Sequence, residues 1–257
     1  MTAPLRLHYA PDNASLIVRL ALEELGLPYV THLVDRQARA QQAPRYLRLN
    51  PNGTIPVLET PHGAMFETAA ILLWLSDTTG KLAPKPQDPL RGPFLKWLFW
   101  CSNTLHTDLR SYFYPEKFIG PDPADQSQLR RIYRERIRAD LHILEEGLQQ
   151  TPALAGNAQP GLLDLYLPCL MRWCDLYANP KPSTAVSGPP DHQPDLPPDL
   201  PAETPLWFDL TAFPALYSVC RMAESRASTK RAQSAEGLGP TPFTAPILAM
   251  PPEGSAT

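Results

Sequence analysis

The chain predicts an α/β unit of order βαβαββα followed by an all-helical region. Three observations carry this reading. Strand-like alternation gives way to helical spacing within the first 25 residues, and a proline interrupts the apolar run Ile55 to Leu58 just ahead of a short turn. A proline-rich break at 82–89 then ends the mixed pattern, and every amphipathic segment beyond it is helical.

Leu5 to Tyr9 alternates as a strand, and after Ala10-Pro11-Asp12-Asn13 the apolar residues Leu16, Val18, Leu20, Ala21 and Leu25 recur at helical spacing up to Gly26. Tyr29 to Val34 reads as a second strand and Pro44 to Leu49 as a short helix. A helix joining the first two strands makes them parallel, whereas the tight turn at Pro61-His62-Gly63 makes the next pair antiparallel. Amphipathic segments follow near 90–114, 124–150 and 162–178, with shorter ones near 212–224 and 228–236. The predicted division is a unit at 1–80, a helical domain at 90–238 and a proline-rich tail at 239–257 that trails over the surface or off it. Asn179 to Pro205 carries nine prolines and is expected to form an extended or disordered loop inserted in the helical part.

Two local features point to a peptide-like ligand. A proline in an apolar run cannot donate to a strand ladder, so Ile55-Pro56 marks an edge or a cis turn where main chain meets a ligand. Glu67-Thr68 opens an apolar helix whose first N–H groups are unpaired and partly positive, an end suited to a carboxylate. Other chemistries are excluded more readily. Net charge is −3 with both signs scattered, and the one basic run, 130–138, has the spacing of a solvated helix face, so neither nucleic acid nor membrane is expected as a partner. Cys101, Cys169, Cys174 and Cys220 lie in apolar helical patterns without metal-ligand spacing, and no glycine-rich phosphate loop occurs, so no metal and no nucleotide are expected. The start of the chain lacks a basic and apolar leader, which predicts a cytoplasmic protein.

The stretch Asn50-Pro51-Asn52-Gly53-Thr54-Ile55-Pro56-Val57-Leu58-Glu59 with Phe66-Glu67-Thr68-Ala69-Ala70-Ile71-Leu72 resembles the thioredoxin-like domain of glutathione transferases. In the helical half Trp97 to His106, Asp164 to Leu167 with Arg172-Trp173, and Arg221 to Glu224 leading to Ser234 to Leu238 resemble the bacterial beta class. The resemblance implies that the main chain of Ile55, before a cis-Pro56, pairs with the cysteinyl part of glutathione. It also implies that Glu67 and Thr68 hold the γ-glutamyl end, that Gln41 reaches the peptide, and that the chain forms a homodimer. Two departures stand out. Gly161 occupies the Ser/Thr position of the capping box that precedes Asp164, and Ala14 occupies the turn position where beta-class enzymes carry a reactive cysteine, so no mixed disulfide forms there.

Glutathione transferases stabilise the thiolate of their co-substrate, since a thiol of pKa about 8.5 is only a few per cent ionised at neutral pH. The resemblance favours Ser15 as the donor, since it matches a serine at this turn in the beta class, then Asn13, with Tyr9 a further candidate; the alternative is that Ser15 and Asn13 only cap the helix, as Asp12 is expected to do. Asn103, His106, Arg110 and Tyr114 recur at helical spacing and are expected to form a polar stripe facing the electrophile. The expected function is attack of the glutathione thiolate on a small hydrophobic electrophile, in detoxification. Alternatives are a glutathione-binding module with little turnover, or a glutathione-dependent isomerase, dehalogenase or ether-cleaving enzyme.

Overall fold

A computed structural model describes residues 4–178 and 207–252; the proline-rich loop at 179–205 and residues 253–257 lie outside the described residues. The α/β unit comprises β1 (Leu5–Tyr9), α1 (Ser15–Leu25), β2 (Tyr29–Leu33), α2 (Pro44–Leu47), β3 (Val57–Thr60), β4 (Gly63–Met65) and α3 (Thr68–Thr79). The sheet order is β2-β1-β3-β4, parallel between β1 and β2 and antiparallel elsewhere, as the connections predicted. Strand β1 is central, so Leu7 and Tyr9 are fully buried against the helices while His8, on the opposite face, meets Glu59 at 2.7 Å. α1 is buried from Ser15 to Leu22 and ends at Gly26, whose φ of 64° suits a residue without Cβ.

The helical region begins with α4 (Arg91–Trp100), which continues through a π-helical segment, Cys101–Leu105, into α5 (His106–Phe113). The His106 N–H bonds the carbonyl of Cys101, five residues back. After the single turn α6 (Glu116–Ile119) come α7 (Pro123–Gln150), α8 (Leu163–Ala178), α9 (Pro214–Ser225) and α10 (Ala227–Glu236). α8 is almost wholly buried at the centre. Its start keeps half of a capping box, because the Asp164 carboxylate accepts from the N–H of Gly161 at 2.7 Å and of Gly156 at 2.6 Å. Gly161 therefore leaves the helix start intact.

Two expectations are corrected. The tail, expected to trail over the surface or off it, is anchored into the body as far as it is described. Phe243 is fully buried, Glu224 accepts from the N–H groups of Phe243 and Thr244, and the Arg172 guanidinium takes the carbonyls of Leu238, Pro242 and Ile247. Proline removes donors but leaves carbonyls, and a buried cation is what satisfies them here. Asp12, expected to cap α1, does not. Its φ is 52° and its carboxylate turns away to Arg172, while Ala14 sits at the N-cap with no side-chain cap.

Between α5 and α7 the buried carboxyls of Asp108 and Asp140 lie together, and Arg136 pairs with Asp108 at 2.8 Å. Burial, and then the charge of Asp108, push the Asp140 carboxyl up to about 6, with Arg136 opposing. The folded chain therefore holds a proton between about pH 4 and pH 6 that the unfolded chain has released, and stability falls as pH rises through that window. Asp140→Asn should raise the melting temperature by roughly 2–4 °C at pH 8, corresponding to about 1 kcal/mol, and leave it nearly unchanged at pH 4. Differential scanning calorimetry at the two pH values checks this; an equal shift at both would assign the effect to packing rather than to charge.

Candidate functional site

One cavity of about 260 Å³ lies where the sheet's loop end meets α5 and α8. The α/β unit contributes the β1–α1 turn (Asp12, Asn13, Ala14), Arg36, Gln41, the loop Gly53 to Pro56, and Glu67 with Thr68. The helical wall contributes Ser102, His106, Thr107, Arg110, Phe113, Tyr114 and Lys117, with Tyr166, Trp173 and Tyr177 from α8.

The loop is held by a single buried amide. Asn50 donates to the carbonyl of Thr54 at 2.8 Å and accepts from the N–H of Asn52, and the Tyr46 hydroxyl donates to the same Thr54 carbonyl at 2.9 Å. Gly53 turns the chain at φ 60°, where a Cβ would lie 2.5 Å from the Gln42 side chain. This knit places Ile55 and Pro56 at the cavity edge, and the bond between them is cis. Beside them Gln41 lines the cavity, and its Oε1 is buried without a hydrogen-bond partner. At the start of α3, Glu67 stands at the N-cap with φ 71° and no side chain caps the helix, so its first N–H groups open into the cavity.

The β1–α1 turn is fixed from the helical side. Both carboxylate oxygens of Asp12 accept from Arg172 at 2.7 Å, Trp173 Nε1 donates to Asp12 at 3.0 Å, and the Asp12 N–H donates to Glu236 at 2.9 Å. Glu236 is itself paired with the buried Arg19, and burial pushes its carboxyl up while Arg19 opposes. Asn13 and Ala14, next in the chain, face the cavity.

Ser15 does not. It is fully buried, and its hydroxyl donates to the Ala10 carbonyl at 3.0 Å and takes the Ala10 N–H at 3.3 Å, which closes the turn. Tyr9 is likewise buried, with the Arg19 guanidinium 4.5 Å from its ring centroid, and does not line the cavity. Of the polar stripe, His106, Arg110 and Tyr114 reach the cavity but Asn103 is exposed outside it. The π-helical segment is the reason. An i→i+5 turn rotates the residues before His106 away from ordinary helical spacing, so Ser102 faces inward in place of Asn103.

His106 is wedged against the aromatic wall. Its Nδ1 lies 2.9 Å from the Tyr166 hydroxyl and its ring centroid 5.3 Å from that of Trp173. Burial, with some help from Arg110, pushes its pKa down to about 4, so the imidazole is neutral at physiological pH. Sequence reasoning missed Tyr166, Trp173 and Tyr177, although their spacing along α8 puts them on one helical face. It also missed Arg36, which lies in irregular chain, and Lys117, on the single turn α6, which is too short to carry a periodic signal. Among the described residues no cluster of His, Cys, Asp or Glu could hold a metal, and no helix is long and apolar enough to cross a membrane.

Residues 14–78 match the family model described as glutathione S-transferase, N-terminal domain. The chain is 30% identical to the glutathione S-transferase GST-4.5 of Xanthomonas campestris over 66% of this chain and 82% of the relative. It is also 30% identical to the disulfide-bond oxidoreductase YfcG of Escherichia coli over 59% of this chain and 72% of that protein. A solved glutathione transferase homologue from Sulfitobacter, with bound glutathione, superposes with a TM-score of 0.68 at 21% identity, covering 90% of this chain and 97% of that one.

Proposed function

The chain belongs to the glutathione S-transferase family, and we propose that it binds reduced glutathione and uses the thiolate to attack a small electrophile with an apolar body. In this reading residues 1–80 hold the peptide and residues 90–238 supply the wall against which the electrophile lies. The observation that carries it is the uncapped start of α3 at Glu67-Thr68, lining the same cavity as Gln41 and the cis Ile55-Pro56 edge. The helix start takes the γ-glutamyl carboxylate, the Glu67 carboxylate takes the amine, and the main chain of Ile55 pairs with the cysteinyl residue. Glu67→Ala should weaken glutathione binding by about 1–3 kcal/mol, the cost of leaving a charged partner unpaired. Isothermal titration calorimetry reads this directly, and unchanged affinity would remove Glu67 from the site.

The thiol meets the β1–α1 turn, where the Asn13 amide and the N–H groups at the uncapped start of α1 favour the anion. Ser15, whose hydroxyl is committed to Ala10, supports the turn instead. The two variants should therefore behave differently. Asn13→Ala should lower turnover by roughly 10–1000-fold, about 1.4–4 kcal/mol of anion stabilisation. Ser15→Ala should lower stability by about 1–3 kcal/mol through the buried Ala10 groups it strands. Steady-state kinetics paired with urea unfolding separates them, and a Ser15→Ala enzyme of full stability and lost turnover would return the thiol to Ser15.

A glutathione-binding module with little turnover is the second reading, favoured by the absence of both a cysteine at Ala14 and a free Ser15 hydroxyl at the turn. Titrating the ultraviolet absorbance of the bound thiolate decides between them, since catalysis requires a depressed thiol pKa. Placement in the cytoplasm and a role in detoxification belong to the first reading.

A homodimer is part of the same proposal. Phe99 on α4 and Ile143 on α7 are large apolar side chains left 44% and 50% exposed, on the half of the molecule that family members pair with a second subunit. Light scattering at micromolar concentration should return twice the chain mass of 28.6 kDa, and a monomer there would end the idea.

A further inference from the structure

The helical wall of the cavity carries two cations that no carboxylate neutralises. Arg110, on α5, and Lys117, on α6, both line the cavity, and neither forms an ion pair among the described residues. Lys117 and a third cation meet at one phenol, and Arg110 lies near enough to act on Lys117. The Lys117 ammonium lies 4.0 Å from the centroid of the Tyr114 ring, and Arg36 donates to the Tyr114 hydroxyl at 2.9 Å, which brings a third positive charge to the same place. Burial holds the Lys117 ammonium below its ordinary range; Glu116 opposes this, and the charges of Arg36 and Arg110 add to it.

Like charges in a half-buried cleft raise one another's energy, and an anion between them reverses the sign. The acids that line the cavity do not serve. Asp12 is saturated by Arg172 and Trp173, and Glu67 sits across the cavity at the start of α3. In that reading the peptide's γ-glutamyl carboxylate and its thiolate are met by α3 and by the β1–α1 turn, both in the α/β unit; its glycyl carboxylate is common to every conjugate, so a preference between conjugates that differ at the ring cannot come from it. The neighbouring surface is flat and aromatic, with Phe113 stacked on Tyr177 at a centroid distance of 3.6 Å.

We propose that the electrophile taken at this wall is an aromatic acid, its ring against Phe113 and Tyr114 and its carboxylate between Arg110 and Lys117. The inference rests on the glutathione-transferase reading above. For an activated aryl halide the step balances without a further reactant: the thiolate sulfur bonds the ring carbon, the carbon–halogen bond breaks, and the halide leaves with its electron pair.

The test uses the full-length protein and the two conjugates such a step would form from a chloronitrobenzoate and from its neutral amide, S-(4-carboxy-2-nitrophenyl)glutathione and S-(4-carbamoyl-2-nitrophenyl)glutathione. The two differ at one ring substituent, a carboxylate in the first and a neutral carboxamide of similar size in the second. Calorimetry should find the carboxylate conjugate bound about five- to tenfold more tightly, as expected for two part-exposed ion pairs. Arg110→Gln and Lys117→Gln should each reduce that preference, and the double variant should bring the ratio to about one. Both side chains are at least partly solvated, so the variants fold. Equal affinities in the native protein, a preference kept by the double variant, or binding of glutathione without either conjugate would each overturn the aromatic-acid assignment while leaving the glutathione site standing. Failure to bind glutathione and both conjugates would overturn the underlying reading, and this inference with it.

Discussion

The Arg172 guanidinium is the contact on which the remainder of the site depends. It is fully buried, and its five N–H groups are all used: two on the Asp12 carboxylate and three on the carbonyls of Leu238, Pro242 and Ile247. A buried cation is tolerated only when paired and fully hydrogen-bonded, and breaking such a pair costs about 3–5 kcal/mol because a charge is left behind. One side chain of α8 thus joins three segments that share no secondary structure. The turn that carries Asn13 owes its position to the helical half as much as to its own strand.

Around that contact the cavity's acids, Asp12 and Glu67, come from the α/β unit, whereas its cations come from both sides, Arg36 from that unit and Arg110 and Lys117 from the helical wall with the aromatic groups. His106, neutral because it is buried, adds polarity without charge between them. The four cysteines are buried, and burial pushes each thiol up, so none competes with a bound thiol for nucleophilic work. With Ala14 at the turn, no cysteine lines the cavity.

Much of the fold was legible because its signals are local. The strand-to-helix switch after Tyr9, the left-handed stop at Gly26, the cis turn at Ile55-Pro56 and the helix start at Glu67-Thr68 each rest on a few adjacent residues, and all were found where the spacing put them. The unread parts are non-local. Ser15 looks like a site serine until the Ala10 backbone claims its hydroxyl, and Asp12 looks like a cap until a guanidinium 160 residues away claims its carboxylate. Asn103 fails for a third reason, since a π-helical turn shifts the angle per residue just before His106, and of the two residues one turn back Ser102 rather than Asn103 lines the cavity. The proline-rich tail misled through composition, because its carbonyls found a donor far away in sequence.

The tie between Asp12 and the tail has a consequence for how the protein is made. The β1–α1 turn is synthesised well before the groups that fix it, since Asp12 is bonded by Arg172 and by Glu236, and Arg172 in turn by Ile247. A nascent chain can form β1 and α1 early, but it completes this corner only once residues as far as 247 have left the ribosome. The geometry of the turn is therefore coupled to synthesis of the helical region, and a chain ending before Arg172 carries the Ile55-Pro56 loop without the corner that holds Asn13.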